Sequence, residues 1–378
     1  MEDPKSNRSF YEFHHLDLVL LASGCKIFLP SAHIRFLNYL LLFLTTMAYM
    51  VVIYWNYMTV FSLGGFSTLI AFSRYSDDVA GILFLLVMNR NRTMFQERIS
   101  EILQSLNTSQ KKSMARQSMW SMIFVMCTFV EYLIILIRSH ESMTGWGVVA
   151  NIIMYIIRFD SGLNSWFFGG CCVFAFCVKM TIFSEEDYFR EISGMIDDCE
   201  NNHISPVKLA SQRRRLLTTR KKLFSTFSFI PLLWFVYIFI KALAVFISML
   251  EWEKTLTERL WLALPLMQEL LALGYVIYLC DHCTLLTQKK TNALIHSLME
   301  NDSIRELDVL VDELKEESGK GFIVFETFVI DRPFLLNFVS ALISFTALFL
   351  DVIYDYLFGD HSPVQLACSC NSTSLTAG

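Results

Sequence analysis

The side chains of greatest chemical consequence in this chain are ionisable groups set inside long apolar runs. Near the C-terminus, Leu348, Asp351, Val352 and Asp355 fall at i, i+3, i+4 and i+7, one face of a helix. A carboxylate inside a hydrocarbon layer is costly and faces a water-filled path or a partner, which marks Asp351 and Asp355 as functional candidates. The alternative is that both lie in the headgroup layer as ordinary end-of-helix residues. A second group emerges from depth. At about 1.5 Å of rise per residue, Arg74, Glu131, Arg158, Asp160, Lys241 and Glu269 all fall roughly 10 to 20 Å below one membrane face. Such groups pair, line cavities, or both, so this layer is the candidate floor of a ligand cavity. Tyr155, Trp234, Tyr237 and Gln268 at similar depth would add stacking and hydrogen bonds. The competing reading is a set of buried ion pairs that fix helix packing. Arg74 also has Asp77 and Asp78 at i+3 and i+4, so a local pair is available to it.

These positions require spanning helices, and the composition supplies them. The chain is 54% hydrophobic and only 18% charged, with a mean hydropathy of +0.44, which excludes an ordinary soluble globular protein. Seven runs are long enough to span: Phe36 to Phe61, Phe66 to Met88, Met119 to Ile137, Gly147 to Phe183, Thr226 to Leu250, Leu260 to Cys280 and Pro333 to Phe358. The fourth is too long for one perpendicular helix and carries Arg158, Asp160 and Gly162, so it tilts, kinks or continues into the cytosol. Of the 31 Lys and Arg residues, 24 fall in one alternating set of connecting segments and 3 in the other. That asymmetry puts the N-terminus inside and the C-terminus outside.

The expected class is therefore an all-α integral membrane protein with seven transmembrane helices and a cytosolic helical bundle. Residues 1–35 form a cytosolic N-terminal segment with an amphipathic helix. Residues 36–280 form a six-helix transmembrane region that includes cytosolic loops 89–118 and 184–225. Cytosolic helices occupy 281–332, the seventh span 333–358, and an extracellular tail 359–378. The outer loops are short, so a ligand must enter between helices. Helical patterns continue over Glu185 to Lys222, which carries Arg213-Arg214-Arg215 and Arg220-Lys221-Lys222, and over Asp281 to Glu317.

Other classes find little support. A net charge of −5 gives no electrostatic footing for nucleic acid. Phosphate-loop, His-Glu-x-x-His and Gly-x-Ser-x-Gly motifs are lacking, so the expectation is no enzyme, no cofactor and no metal. Cys280-Asp281-His282-Cys283 has the spacing of half a zinc site but lacks a second pair nearby. A G-protein-coupled receptor would have the reverse orientation, and no Asn-Pro-x-x-Tyr lies in the seventh run. A secondary transporter would share the intramembrane charges but usually shows an internal repeat.

Several stretches resemble the C-terminal signature of invertebrate gustatory receptors, relatives of the insect odorant receptors. They are Gln288-Lys289-Lys290-Thr291, then Leu307 to Leu314, then Phe328-Val329-Ile330-Asp331-Arg332-Pro333-Phe334-Leu335-Leu336. Gly24 and Phe28-Leu29-Pro30 ahead of the first span fit the same layout. The family's seventh-span marker is Thr-Tyr, five apolar residues, then Gln-Phe; here Ser344, Phe345, Asp351 and Val352 keep the spacing and replace all four residues, as in a divergent member. The resemblance implies a plasma-membrane, multi-pass, ligand-gated cation channel, a homo- or heterotetramer whose partners are a small-molecule tastant, permeant cations and membrane lipids. Four copies of the seventh span would set Asp351 and Asp355 as acidic rings, with Leu348 and Val352 as dewetting constrictions. Arg74, Glu131, Tyr155, Arg158, Trp234, Tyr237, Lys241, Gln268 and Glu269 would belong to the ligand region. The replaced markers also motivate a non-conducting structural or regulatory member of the same fold.

The topology has a direct reporter. Asn371-Ser372-Thr373 is a glycosylation sequon in the outer tail, whereas those at Asn7, Asn91, Asn107 and Asn301 are cytosolic. A gel shift removed by deglycosylation and by Asn371→Gln is expected; glycan on Asn7 or Asn91 would invert the protein.

Overall fold

The computed structural model describes residues 79–84, 86–88, 90–140, 165–197, 206–225, 227, 229–250, 256–300, 323–324 and 328–358, with isolated residues at 43, 47, 50 and 54. They are almost wholly helical. Following a short apolar helix at Val79–Met88 come α1 (Arg92–Ser105), α2 (Thr108–His140), α3 (Ser165–Asp197), α4 (Pro206–Ser225), α5 (Ile230–Leu250), α6 (Leu256–Glu300) and α7 (Arg332–Phe358). The one departure from an all-helical reading is a small antiparallel ladder, β1 (Ile323–Val324) on β2 (Phe328–Val329), with Ile323 opposite Val329. The chain forms two compact units, Met1–Leu336 and Asn337–Gly378.

Within the first unit, α3 packs against α1, α2, α4 and α6, and α5 packs on α6. Its sequence explains the central place. From Trp166 to Val178 only Cys172 is not fully buried, so every face of that stretch is covered, as a helix apolar all round requires. The rings interlock edge to face: Phe174 lies 5.3 Å from Phe227 and 5.7 Å from Trp234, and Phe227 lies 5.3 Å from Phe95. Gly170 permits the closest approach. A Cβ there would stand 3.0 Å from Phe84 Cε2 and 3.0 Å from Trp234 Cζ2. Bare backbone at this position lets both rings settle on α3.

Helix length carries α3 and α6 beyond any bilayer. The 45 residues of α6 rise about 68 Å, against a hydrocarbon core of about 30 Å. The cytosolic helix expected to begin at Asp281 is thus the unbroken continuation of the sixth run, described as far as Glu300. Likewise α3 continues beyond the fourth run to Asp197, one of the outcomes open to an overlong run. Among the described residues, Trp166–Gly194 and Ala263–His296 are long and apolar enough to cross a membrane. A third span results if Ser211–Ser225 and Ile230–Phe246, bent by 42°, count as one.

Polar contacts lock the charged ends of these helices. Asn107 and Gln110 exchange reciprocal 2.9 Å hydrogen bonds, a capping box that starts α2, and Gln110 Nε2 donates at 2.8 Å to Asp187 Oδ2 on α3. Glu185 on α3 pairs with Arg213 on α4, both fully buried, and Arg220 Nη1 stands 3.9 Å from the same carboxylate. The Arg213 guanidinium also lies 5.3 Å from the Tyr188 ring and 5.7 Å from Phe189. At the start of α7, Asp331 Oδ1 accepts from the Phe334 N–H at 2.8 Å as an N-cap, and Pro333 follows within the first turn. Arg332 Nε sits 2.6 Å from Asp281 Oδ2 on α6, and Phe334 packs 4.7 Å from Phe235 on α5. The first turn of α7 is therefore held by both α5 and α6.

The Glu185–Arg213 pair generates a stability prediction. Glu185→Ala leaves a buried guanidinium without its carboxylate and should cost about 3–5 kcal/mol, whereas Glu185→Leu with Arg213→Met should restore most of it. Thermal melting of the purified full-length protein in detergent decides; an unchanged midpoint for Glu185→Ala would remove the pair from the account.

Candidate functional site

Three of the residues expected in the ligand layer meet in one place. Tyr237 and Lys241 lie one turn apart on α5, and Glu269 faces them from α6. Glu269 is fully buried, and Lys241 keeps 19% of its side chain exposed. Lys241 Nζ pairs with Glu269 Oε1 and donates at 2.9 Å to Tyr237 Oη, which in turn donates at 3.0 Å to the same Oε1. The ammonium also stands 5.3 Å from the Tyr237 ring centroid. One turn earlier on α6, Pro265 removes a backbone hydrogen bond from the helix ladder.

Aromatic rings close the side of this triad that faces α3. Tyr237 has Trp166 at 5.3 Å and Phe167 at 5.6 Å, and Phe167 lies 6.1 Å from Trp234. Trp234 is fully buried one turn before Tyr237, and its indole Nε1–H has no hydrogen-bond partner among the described residues. A buried charge pair beneath π faces can bind a cation, a carbonyl or a hydroxyl by exchanging one internal hydrogen bond for one to the newcomer. Lys241 supplies donors, Glu269 acceptors and Tyr237 both.

The other candidates are placed as follows. Gln268 is half-buried next to Glu269 on α6. Glu131 lies on the α2 backbone, but its side chain is outside the described residues, as are Arg74, Tyr155, Arg158 and Asp160 entirely. Leu348 is on α7 and 61% exposed. Asp351, Val352 and Asp355 lie on the same continuous helix, so their i, i+1 and i+4 placement holds, while their side chains and Asn371 are outside the described residues.

A separate cleft of about 420 Å³ opens between α1, α3 and α4, lined by Glu101, Ser105, Asp187, Glu191, Arg215 and Thr219 among others. It lies some twenty residues along α3 from the triad, about 30 Å by helical rise. Its charges are matched internally. Glu101 accepts from Arg215 at 3.0 Å and Arg98 at 2.8 Å, and these guanidiniums, Arg215 foremost, hold its carboxyl below the usual carboxylate range. The sequence reading did not anticipate this cleft or the Glu185–Arg213 pair beside it.

No protein-family model and no curated relative matches the chain. Its three-dimensional likeness is extensive nonetheless. The structure of the insect olfactory receptor OR5 from Machilis hrabei aligns with a TM-score of 0.72 at 11% identity, over 90% of this chain and 97% of that one. The same receptor in complex with eugenol aligns at 0.64 and 10% identity over the same shares. The chain has the insect olfactory-receptor fold. At this identity the likeness is one of architecture, and it agrees with the helical membrane-protein reading and, as a fold, with the chemoreceptor resemblance of the sequence.

The triad carries its own test. Lys241→Met leaves the Glu269 carboxylate buried without its counter-ion and should destabilise by on the order of 3 kcal/mol, while the double variant Lys241→Met, Glu269→Leu should recover most of that. Additive losses in the double variant would show that the two side chains act independently.

Proposed function

We propose that this chain is a chemosensory receptor subunit of the gustatory type, acting as a ligand-gated cation channel of four subunits in the plasma membrane. It spans the bilayer seven times with its N-terminus inside. The observation that carries the reading, beyond the fold, is the state of α7. From Asn337 to Leu348 this apolar helix is exposed on almost every side, with Leu336, Ile343, Phe345 and Leu348 each more than half exposed. In a membrane an apolar surface of this kind is covered by lipid or by other helices. Lipid can cover part of it, but lipid does not suit the carboxylates at Asp351 and Asp355 one and two turns further along. Four copies around an axis meet both needs, apolar flanks against neighbours and acidic groups toward water, with Leu348 and Val352 as the constriction.

Ligand binding at the triad has a short mechanical route to that helix. Tyr237 and Lys241 share α5 with Phe235, which packs on Phe334, and Glu269 shares α6 with Asp281, which holds Arg332. A small molecule that separates Lys241 from Glu269 shifts α5 against α6, and both contact the first turn of α7. The solved relative in complex with eugenol supports a small organic ligand as the class. Replacement of the family markers at Ser344, Phe345, Asp351 and Val352 favours one competing reading, a non-conducting subunit of the same fold.

Current recordings separate the two. Asp351→Asn should change cation selectivity or conductance with surface expression intact, and Glu269→Gln should shift agonist sensitivity without loss of assembly. Unchanged permeation in an active Asp351→Asn channel would take that residue out of the pore. Effects of Glu269→Gln confined to trafficking would make the triad structural.

A further inference from the structure

We infer that the outer face of α4 binds the anionic phosphate headgroups of the inner membrane leaflet. The helix carries seven Lys and Arg residues and no Asp or Glu, and no carboxylate occurs anywhere from Asn201 to Leu250. Its two faces use their cations differently. Arg213 and Arg220 turn inward to Glu185, on the side where Leu223 is buried. Arg214, Arg215, Thr218, Lys221, Lys222 and Ser225 are exposed and recur at helical spacing, so the outward strip is built from cations and hydroxyls. A solvated surface helix normally intersperses both signs of charge; this one carries no anion of its own, and of the outward cations Arg215 meets Glu101 on α1 at 3.0 Å.

Position selects the membrane as the source of the anion. The chain passes from α4 into the apolar helix α5 through a bend of 42°. Only four residues separate the end of α4 at Ser225 from Ile230, and turn hydrogen bonds from Phe227 N–H to Phe224 O and from Ile230 N–H to Phe227 O shorten that path, which keeps both lysines close to the start of α5 and to a headgroup layer whose field decays over about 8 Å at physiological salt. Basic clusters directly cytoplasmic of a span attract anionic lipid with roughly fivefold in affinity per cation near the surface. Arg215 also contacts Glu101 at the rim of the cleft between α1, α3 and α4, so an anion drawing on Arg215 competes with that contact. The inference rests on the inside placement of α4 proposed above.

The test uses the full-length protein in phosphatidylcholine nanodiscs, with a fluorescent short-chain phosphatidylinositol bisphosphate as probe and short-chain phosphatidylserine as competitor. Both faces of a nanodisc are open to solution, so binding is read independently of orientation and of channel activity. Wild type should bind the probe, and Lys221→Gln with Lys222→Gln should weaken it by roughly thirtyfold. Lys221→Arg with Lys222→Arg should retain binding, and added salt should weaken it. Competition by phosphatidylserine at matched charge assigns the face to anionic lipid in general; resistance to it assigns a multiply phosphorylated headgroup. Equal affinity in the wild type and the glutamine variant, or no binding by wild type, overturns the inference.

Discussion

A helix that is apolar on every side must be covered on every side, and the first unit of this protein is organised by that requirement at α3. The Trp166 to Val178 stretch has no face to give to water or to lipid, so α1, α2, α4 and α6 take up positions around it. Two polar devices become possible once α3 is central. Near one end its rings seal the Tyr237, Lys241 and Glu269 triad; toward the other its Glu185 receives Arg213 from α4. Each is a charge pair that would be prohibitive in the open apolar layer and is tolerable where both partners meet.

The second unit has the opposite character. Most side chains of α7 from Asn337 to Leu348 are exposed, whereas the first turn of the helix, which belongs to the first unit, is fastened by an N-cap, an ion pair to Asp281 and a ring contact to Phe235. Along α6 the exposed residues Leu260, Leu264, Met267, Leu271, Tyr275 and Tyr278 repeat at helical spacing opposite Glu269, Leu273 and Ile277, as a helix between protein and lipid requires.

Much of this was legible in the residues. Long apolar runs located α3, α5, α6 and α7 because spanning length is a physical minimum, and the seventh run, from Pro333, begins one residue after α7 does. Depth along alternating spans brought Lys241 and Glu269 together, and Trp234 and Tyr237 were placed beside them for the same reason. Glu185–Arg213 was missed because charged residues in a loop between spans read as solvated, although Arg213 shares a helical stripe with Leu216, Arg220 and Leu223. The central burial of α3 was equally invisible, since a helix facing lipid and one enclosed by protein have the same composition; Gly169-Gly170 within the run was the hint. The Ile323 to Val329 ladder was overlooked because its two-residue strands are too short for alternation to register.

Native mass measurement of the purified full-length protein in mild detergent tests the central claim most directly. A lone α7 cannot enclose a pore, so conduction requires several copies. The account predicts a particle of four times the 43.8 kDa chain. A stable, monodisperse monomer would contradict it.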